Sequence, residues 1–472
     1  MNLHKRFLEE LKKIETWISL AGVTVAVVIF VCWICNTEDI SVPGGIAAAL
    51  SLVMFLGVCL RFVPAWTGFW RKNISDINNI ETDIEINKRD INITALKIFF
   101  VFNAVCFFII IFVYAIRSAL YGVQPFGESL EFWKCLDSGH YLDIAEDWYL
   151  STGEWDRLVQ LVFLPGYPFI IKIFNVLFDN YLYASLAASS MFFGAAGAVF
   201  YKLMRLDYDK QTSLRAIKYL CLIPGVFFFA APMSESLFLF CSVSCIYFAR
   251  KRRWLAAGLL GGYAALTRSL GIVLLVPLIF EFVSYLINKE YLKDTDAKKR
   301  YTKAVMALRA ASILLIPAGF GVYCYINYRV SGDPFKFLYY QKEHWGQEFG
   351  LFFNTASYQT DRMISEFSDK FNLMLGLWLP NLISSFSALL TLFVTVKRIR
   401  PSYVAYAIAY FFVAIGATWL LSAPRYLAAL FILPMGFAVI TNKPKWDMTL
   451  TVVCTVASVF YLFAFVMRWQ VW

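Results

Sequence analysis

Apolar runs long enough to cross a bilayer recur from one end of this chain to the other, and no other feature restricts its fold as strongly. Spanning the hydrocarbon core takes about 20 apolar residues in helical form. In lipid the backbone must satisfy its own hydrogen bonds, which a helix does within one segment. Thirteen candidate spans begin near residues 16, 44, 96, 181, 217, 235, 254, 270, 303, 372, 402, 425 and 447. Composition agrees: AVILMFWYC residues make up 60% of the 472, charged residues only 16%, and Phe, Tyr and Trp number 45, 26 and 14. Soluble domains carry about 25% charged residues. Soluble enzymes, secreted disulfide scaffolds and nucleic-acid-binding proteins are therefore excluded, and an all-α polytopic membrane protein of about 13 transmembrane helices is expected.

Most of the ten cysteines, such as Cys59, Cys106, Cys241 and Cys454, lie inside apolar runs, where an unpaired thiol packs as a small hydrophobe. Cys32 and Cys35 have redox-pair spacing but sit in an apolar segment with no βαβ pattern, so packing is the better reading. The run from Gly22 to Cys35 follows Lys5, Arg6, Lys12 and Lys13 and has no small-residue cleavage site, so a retained helix is expected.

The charges set the topology. With the N-terminus in the cytoplasm, 31 of the 43 Lys and Arg fall in inner loops and flanks, the bias that orients membrane proteins. The net charge of +10 thus reads as orientation and calls for no nucleic acid. Residues 1–95 form a two-helix hairpin with a cytoplasmic connector, in which Ile74, Ile77, Ile80 and Ile84 trace an amphipathic helix. Residues 96–472 form the main transmembrane module, with outer loops at about 119–180 and 329–371. The spans near 217, 235, 254 and 270 are short and broken by Pro224, Pro232, Gly261, Gly262 and Arg268. The apolar stretch Leu161–Leu177, interrupted by Pro165, Pro168 and Lys172, reads as a re-entrant or interfacial helix.

Every unusual polar cluster lands on the outer face. In the first outer loop, His140 and Tyr141 stand three and four positions after Asp137, on one helical face. A carboxylate beside a His suits a general base; the alternative is that Asp137 caps the helix it precedes. Asp143 and Asp147 are an i, i+4 like-charge pair, better read as a solvated face than as a metal site. Arg268 and Arg425 are lone cations near the outer ends of apolar spans, and each would cost about 2.5 to 3.5 kcal/mol at mid-membrane. They must face a polar partner: a lipid phosphate, which guanidinium groups match bidentately, or an internal carboxylate such as Glu235 or Asp137. Glu235 could equally cap a helix. The three His are scattered, and neither His-Glu-x-x-His nor a Gly-rich phosphate loop occurs outside a span. ATP-driven transport therefore has no support, and metal-independent chemistry without a cofactor is expected.

The segment Leu136-Asp137-Ser138-Gly139-His140-Tyr141-Leu142-Asp143-Ile144-Ala145, followed by Phe163-Leu164-Pro165-Gly166-Tyr167-Pro168, resembles the luminal signature of the PIG-V family, the second mannosyltransferase of glycosylphosphatidylinositol assembly, and its bacterial relatives. Further pieces follow in order: Pro232-Met233-Ser234-Glu235-Ser236, Ala265-Leu266-Thr267-Arg268-Ser269, Ser331-Gly332-Asp333-Pro334-Phe335 with Gln341 and Trp345, and Ala423-Pro424-Arg425-Tyr426. The resemblance covers roughly residues 130–430. It implies the GT-C membrane glycosyltransferase fold, a polyprenyl phosphate sugar donor, and Asp137 as base for transfer to a lipid or glycan acceptor. Arg268 and Arg425 become candidate donor-phosphate ligands, and His140, Tyr141, Asp143, Tyr167, Glu235, Gln341, Trp345 and Tyr426 substrate-binding or orienting residues. Two departures stand out: Leu136 occupies the place where the family commonly has Trp, and the first two spans have no counterpart. Those spans are a candidate docking hairpin for a membrane partner. The short chain and Lys/Ile/Asn-rich connector point to a bacterial cytoplasmic membrane, with the active site outward. A lipid or lipid-linked oligosaccharide flippase is the competing function, and a non-catalytic scaffold a third.

Overall fold

The computed structural model describes residues 2–37, 40–75, 88–149, 157–287 and 303–471. No β-strand occurs among the described residues. Helices α1 (Asn2–Asn36) and α2 (Val42–Ser75) form the N-terminal hairpin, and α3 (Lys88–Tyr121) follows. The long connection after α3 holds α4 (Ser138–Asp147) and α5 (Gly166–Phe178). Next come α6 (Tyr181–Met204), α7 (Lys210–Leu222), α8 (Glu235–Arg250), α9 (Trp254–Thr267) and α10 (Leu275–Ile287). Then α11 (Lys303–Ile313) bends by 47° into α12 (Leu315–Ser331). The connection after α12 folds as α13 (Lys336–Trp345) and α14 (Phe352–Ser365). The chain closes with α15 (Leu379–Thr395), α16 (Pro401–Ile415), α17 (Ala423–Ala428), α18 (Ile432–Ile440) and α19 (Pro444–Val466).

The chain is a multi-pass helical membrane protein. Among the described residues, seven helical segments are long and apolar enough to cross a membrane, and the bent α11–α12 pair makes an eighth. The starts expected near 217, 235, 254, 402 and 425 fall on shorter helices, so the figure of thirteen counts full spans together with these half-length ones. They stay short because protein, not lipid, surrounds them. Twelve of the sixteen residues of α8 are buried, and a helix wrapped by neighbours need not match the hydrocarbon thickness. Helix α5, at thirteen residues, has the expected interfacial character: Gly166, Tyr167, Pro168 and Ile171 are buried, while Val176 and Leu177 are 84% and 83% exposed.

Lipid is as apolar as a leucine side chain, so helices in a membrane associate by close packing of small residues. The α9–α12 crossing shows this. A Cβ on Gly319 would lie 2.1 Å from the Gly262 carbonyl oxygen, and one on Gly262 would lie 2.5 Å from that of Leu315. Only glycine lets these backbones touch.

Charge gathers at two ends of the bundle. At the basic end, buried Glu281 accepts from Arg400 Nε at 2.6 Å, Arg400 Nη2 at 3.0 Å and Ser402 Oγ at 2.7 Å. Arg250 grips Asp207 beside it at 2.6 and 2.8 Å. The other end carries Glu235 and Arg268. Helix α8 runs from Glu235 to Arg250, which separates the two ends by about 22 Å.

The N-terminal hairpin braces α14. Trp33 Nε1 donates to Asn354 Oδ1 at 3.0 Å, Ser41 Oγ donates to Asp361, and the rings of Phe55 and Phe352 lie 4.6 Å apart. The amphipathic connector expected around Ile77, Ile80 and Ile84 lies outside the described residues.

Candidate active site

Four charged side chains from four separate segments meet at the end of the bundle opposite the basic one. Arg425, in α17, donates through Nε to Glu235 Oε1 and through Nη1 to Asp137 Oδ2. Arg268, between α9 and the turn that follows it, donates through Nη1 to the same Glu235 Oε1. The chain Asp137–Arg425–Glu235–Arg268 is formally neutral, and a charged group is tolerated in a protein interior only when so paired. Glu235 is 1% exposed, Arg425 4%, Arg268 11% and Asp137 25%. Asp137 is thus the member that a substrate can reach.

The structure shows which internal contacts Asp137 and the two arginines make. Asp137 stands at the N-cap position of α4 but makes no side-chain cap bond. Its carboxylate turns to Arg425. The preceding residue, Leu136, has φ of +55°, a left-handed conformation that costs a non-glycine residue roughly 1–2 kcal/mol and marks functional sites often. Likewise the partners of Arg268 and Arg425 are the internal carboxylates.

Around the charges stands a polar and aromatic shell. Ser234 Oγ accepts from Arg268 Nη1 at 3.2 Å and lies 3.0 Å from the Tyr141 hydroxyl. The Arg268 guanidinium covers the Tyr426 ring at 4.9 Å, and that of Arg425 faces Phe228 at 5.6 Å. The Tyr410 hydroxyl donates to the Tyr426 carbonyl at 2.8 Å. Burial pushes the Tyr141 phenol up to about 12, so it serves as a neutral hydroxyl. Two buried atoms, Glu235 Oε2 and Ser138 Oγ, have no hydrogen-bond partner. Leaving such an atom unpaired costs about 1–3 kcal/mol.

The remaining predicted residues divide. His140 stacks on Phe163 at 4.5 Å, and Trp345 meets the other side of this aromatic group edge-on, 5.8 Å from Phe163. Burial lowers the His140 pKa below 6.5, and the nearby carboxylates of Asp137 and Asp143 only partly oppose it. Asp143 is on the exposed face of α4. Tyr167 is fully buried, with its hydroxyl on Ser185 O at 3.1 Å and Ser189 Oγ at 2.7 Å; it reaches the site only through ring contact with Tyr141 at 5.4 Å. Gln341 bonds Gln347 at 2.5 Å and acts on a loop. Reading single residues missed Ser138, Phe163, Phe228, Ser234 and Tyr410. The first, second and fourth lie inside the quoted motifs, so their signal was present. Among the described residues, no group of three or more His, Cys, Asp or Glu is placed to hold a metal ion.

Residues 164–318 match a protein family described as dolichyl-phosphate-mannose-protein mannosyltransferase. That stretch includes Glu235 and Arg268 and excludes Asp137 and Arg425. No curated protein sequence matches the chain. Two solved structures are similar to it. ArnT from Cupriavidus metallidurans, bound to undecaprenyl phosphate, is 14% identical with a TM-score of 0.41, over 72% of this chain and 74% of that one. The archaeal oligosaccharyltransferase AglB from Archaeoglobus fulgidus, in complex with an inhibitory peptide and a dolichol-phosphate, is 12% identical with a TM-score of 0.36, over 78% and 56%.

The network predicts an asymmetric response to substitution. Arg425→Met leaves Asp137 without its cation and Glu235 with one arginine, and is expected to cost about 3–5 kcal/mol in unfolding of the reconstituted protein. Lys342→Gln removes an ion pair to Glu348 in which both side chains are more than half exposed, and is expected to leave the unfolding midpoint unchanged.

His140 predicts a pH effect. The unfolded imidazole titrates near 6.5 and the folded one lower, so on acidification the unfolded chain takes up the proton first. Stability from this residue is complete above about pH 7 and falls as pH drops through 6.5 toward the folded value. His140→Phe keeps an aromatic ring against Phe163 and removes that fall. Between about pH 7.5 and about pH 5.5, its unfolding midpoint should decline less than that of the parent.

Proposed function

We propose that this chain is an inverting membrane mannosyltransferase that takes its sugar from a polyprenyl phosphate donor. The observation that carries the reading is Asp137, a partly exposed carboxylate at the rim of an otherwise buried pair of arginines. In the reaction, an acceptor hydroxyl loses its proton to Asp137 while its oxygen bonds to the anomeric carbon. The bond from that carbon to the phosphate oxygen breaks, and polyprenyl phosphate leaves with the electron pair. Arg425 and Arg268 supply the positive charge that stabilises the leaving phosphate. As Arg425 turns toward phosphate it loosens its hold on Asp137, so binding of the donor frees the base. The open lone pairs of Glu235 Oε2 then accept a hydroxyl of the donor sugar.

The matched family description names dolichyl-phosphate-mannose as donor, and the motif at 136–145 supports relatives of the second glycosylphosphatidylinositol mannosyltransferase. The acceptor is a lipid or glycan hydroxyl. The excess of Lys and Arg in the loops at the other end of the bundle supports a site on the outer face of a cytoplasmic membrane, and the chemistry proposed needs no metal.

The test offers the purified protein, in nanodiscs, polyprenyl phosphate mannose and a lipid acceptor, with and without a chelator. Asp137→Asn should slow release of polyprenyl phosphate by about 100- to 10,000-fold, read well below its unfolding midpoint, which should fall because the two arginines are left with Glu235 alone. Equal rates would remove Asp137 from its role. Movement of the donor across the bilayer with no release of polyprenyl phosphate would make the protein a transporter. A rate lost to the chelator would end the metal-independent mechanism.

Orientation is checked separately. In a chain with its ten cysteines replaced, an impermeant thiol reagent applied outside should label Glu146→Cys, on the exposed face of α4, and miss Lys251→Cys at the basic end. The reverse pattern would invert the arrangement.

A further inference from the structure

Beyond the charged network, the loop after α13 and the loop after α16 are stitched together. Gly350 N donates to Gly416 O at 2.7 Å, Thr418 N to Glu348 O at 3.0 Å and Thr418 Oγ1 to Gly346 O at 3.0 Å. Gln347 Nε2 donates to Trp419 O at 2.7 Å, and Leu420 N to the Tyr358 hydroxyl at 2.6 Å. Between the loops lies a cavity of about 460 Å³, lined by His344, Trp345, Gly346, Thr418, Trp419 and Leu421. Its size falls within the range of about 300–1,000 Å³ common to small-molecule sites.

Both indoles are held in place. Trp419 stacks on Tyr358 at 5.5 Å and 17° and meets Trp378 edge-on at 5.7 Å. Trp345 is fixed edge-on against Phe163, whose ring stacks on His140 of α4. One wall of the cavity is therefore joined by ring contacts to the helix that Asp137 precedes. The other wall ends at Leu421, four residues before Arg425.

The lining contains two indoles, one imidazole, a hydroxyl and backbone groups, with no carboxylate, lysine or arginine. The Arg362 guanidinium lies 5.7 Å from the Trp419 ring and is paired with Glu366, so no charged group of the lining itself is offered to an ionic ligand. A pyranose ring would match this lining, with its C–H face on the indole of Trp345 or on the side of Trp419 that Tyr358 leaves open, and its hydroxyls on the His344 imidazole and on the Thr418 hydroxyl, which also bonds Gly346 O and Glu348 N. We propose that this cavity is a saccharide subsite holding a sugar ring of the acceptor. The donor's anomeric carbon must lie at Asp137 for the base to act. A ring against Trp345 is linked to that point through Phe163 and His140, and we assign it to a sugar unit next to the accepting hydroxyl. The choice of acceptor over donor rests on the glycosyl-transfer reading above, whereas the binding of a sugar does not.

The test uses the full chain in lipid nanodiscs free of glycoside detergents, and reads saturation-transfer NMR with methyl α-D-mannopyranoside and an α-linked mannotriose. Saturable binding is expected, with the strongest transfer to ring C–H protons. Trp419→Ala and Trp345→Ala should each weaken it by about tenfold, with Trp419→Phe, which keeps a flat ring, recovering part of the loss at an unchanged unfolding midpoint. No saturable binding, or equal binding by Trp419→Ala, would overturn the subsite. In the transfer assay Trp419→Ala should raise KM for a glycosylated acceptor and leave the donor KM unchanged; a rise in the donor KM alone would overturn the acceptor assignment. Sugar binding is read without turnover, so it stands or falls independently of Asp137.

Discussion

The ion-pair network Asp137–Arg425–Glu235–Arg268 fixes the rest of this architecture. Its members come from the loop after α3, the start of α8, the end of α9 and α17, of which only α8 and α9 are brought together by a short turn. In lipid, apolar side chains gain little by choosing each other over the bilayer, whereas a buried charge gains a great deal from its counter-charge. Four charges that must neutralise one another therefore specify one arrangement of the short helices. The same requirement explains why Asp137 is not a helix cap: a cap would satisfy one backbone N–H and leave Arg425 and Arg268 to share Glu235 alone.

Much of this was legible in the sequence because charged residues are so few. Arg268 and Arg425 announced themselves as cations in apolar surroundings that required polar partners, and Glu235 and Asp137 were the carboxylates within reach. The sequence could not show that one oxygen of Glu235 serves both arginines, because that depends on where α9 and α17 cross α8. Nor could it show the turn at Leu136, since leucine rarely adopts positive φ and nothing local favours it. Tyr167 and Gln341 sit in the quoted motifs yet turn away from the charges. Ser189 and Gln347 capture their polar ends, and long-range partners of this kind leave no trace in spacing.

Helix length was the least readable property. Hydropathy registers apolar content but not what an apolar surface touches, so α7, α8, α9 and α16 looked like membrane spans on composition. Their burial by α6, α10, α12 and α18 makes them interior struts. Gly262 was visible as a helix breaker, and its actual use, with Gly319, is to let two backbones come into contact.

Helix α8 has a consequence for how the molecule fails. Its first residue, Glu235, belongs to the charged network, and its last, Arg250, belongs to the clamp around Glu281 and Asp207. The chain is a truss with one strut shared by both joints. Loosening Arg400 or Glu281 on the far side would tilt that strut and displace Glu235 without touching any atom near the substrate. Inactivating substitutions should therefore map to both faces of the membrane, and a defect at the basic face would mimic a lesion in the chemistry.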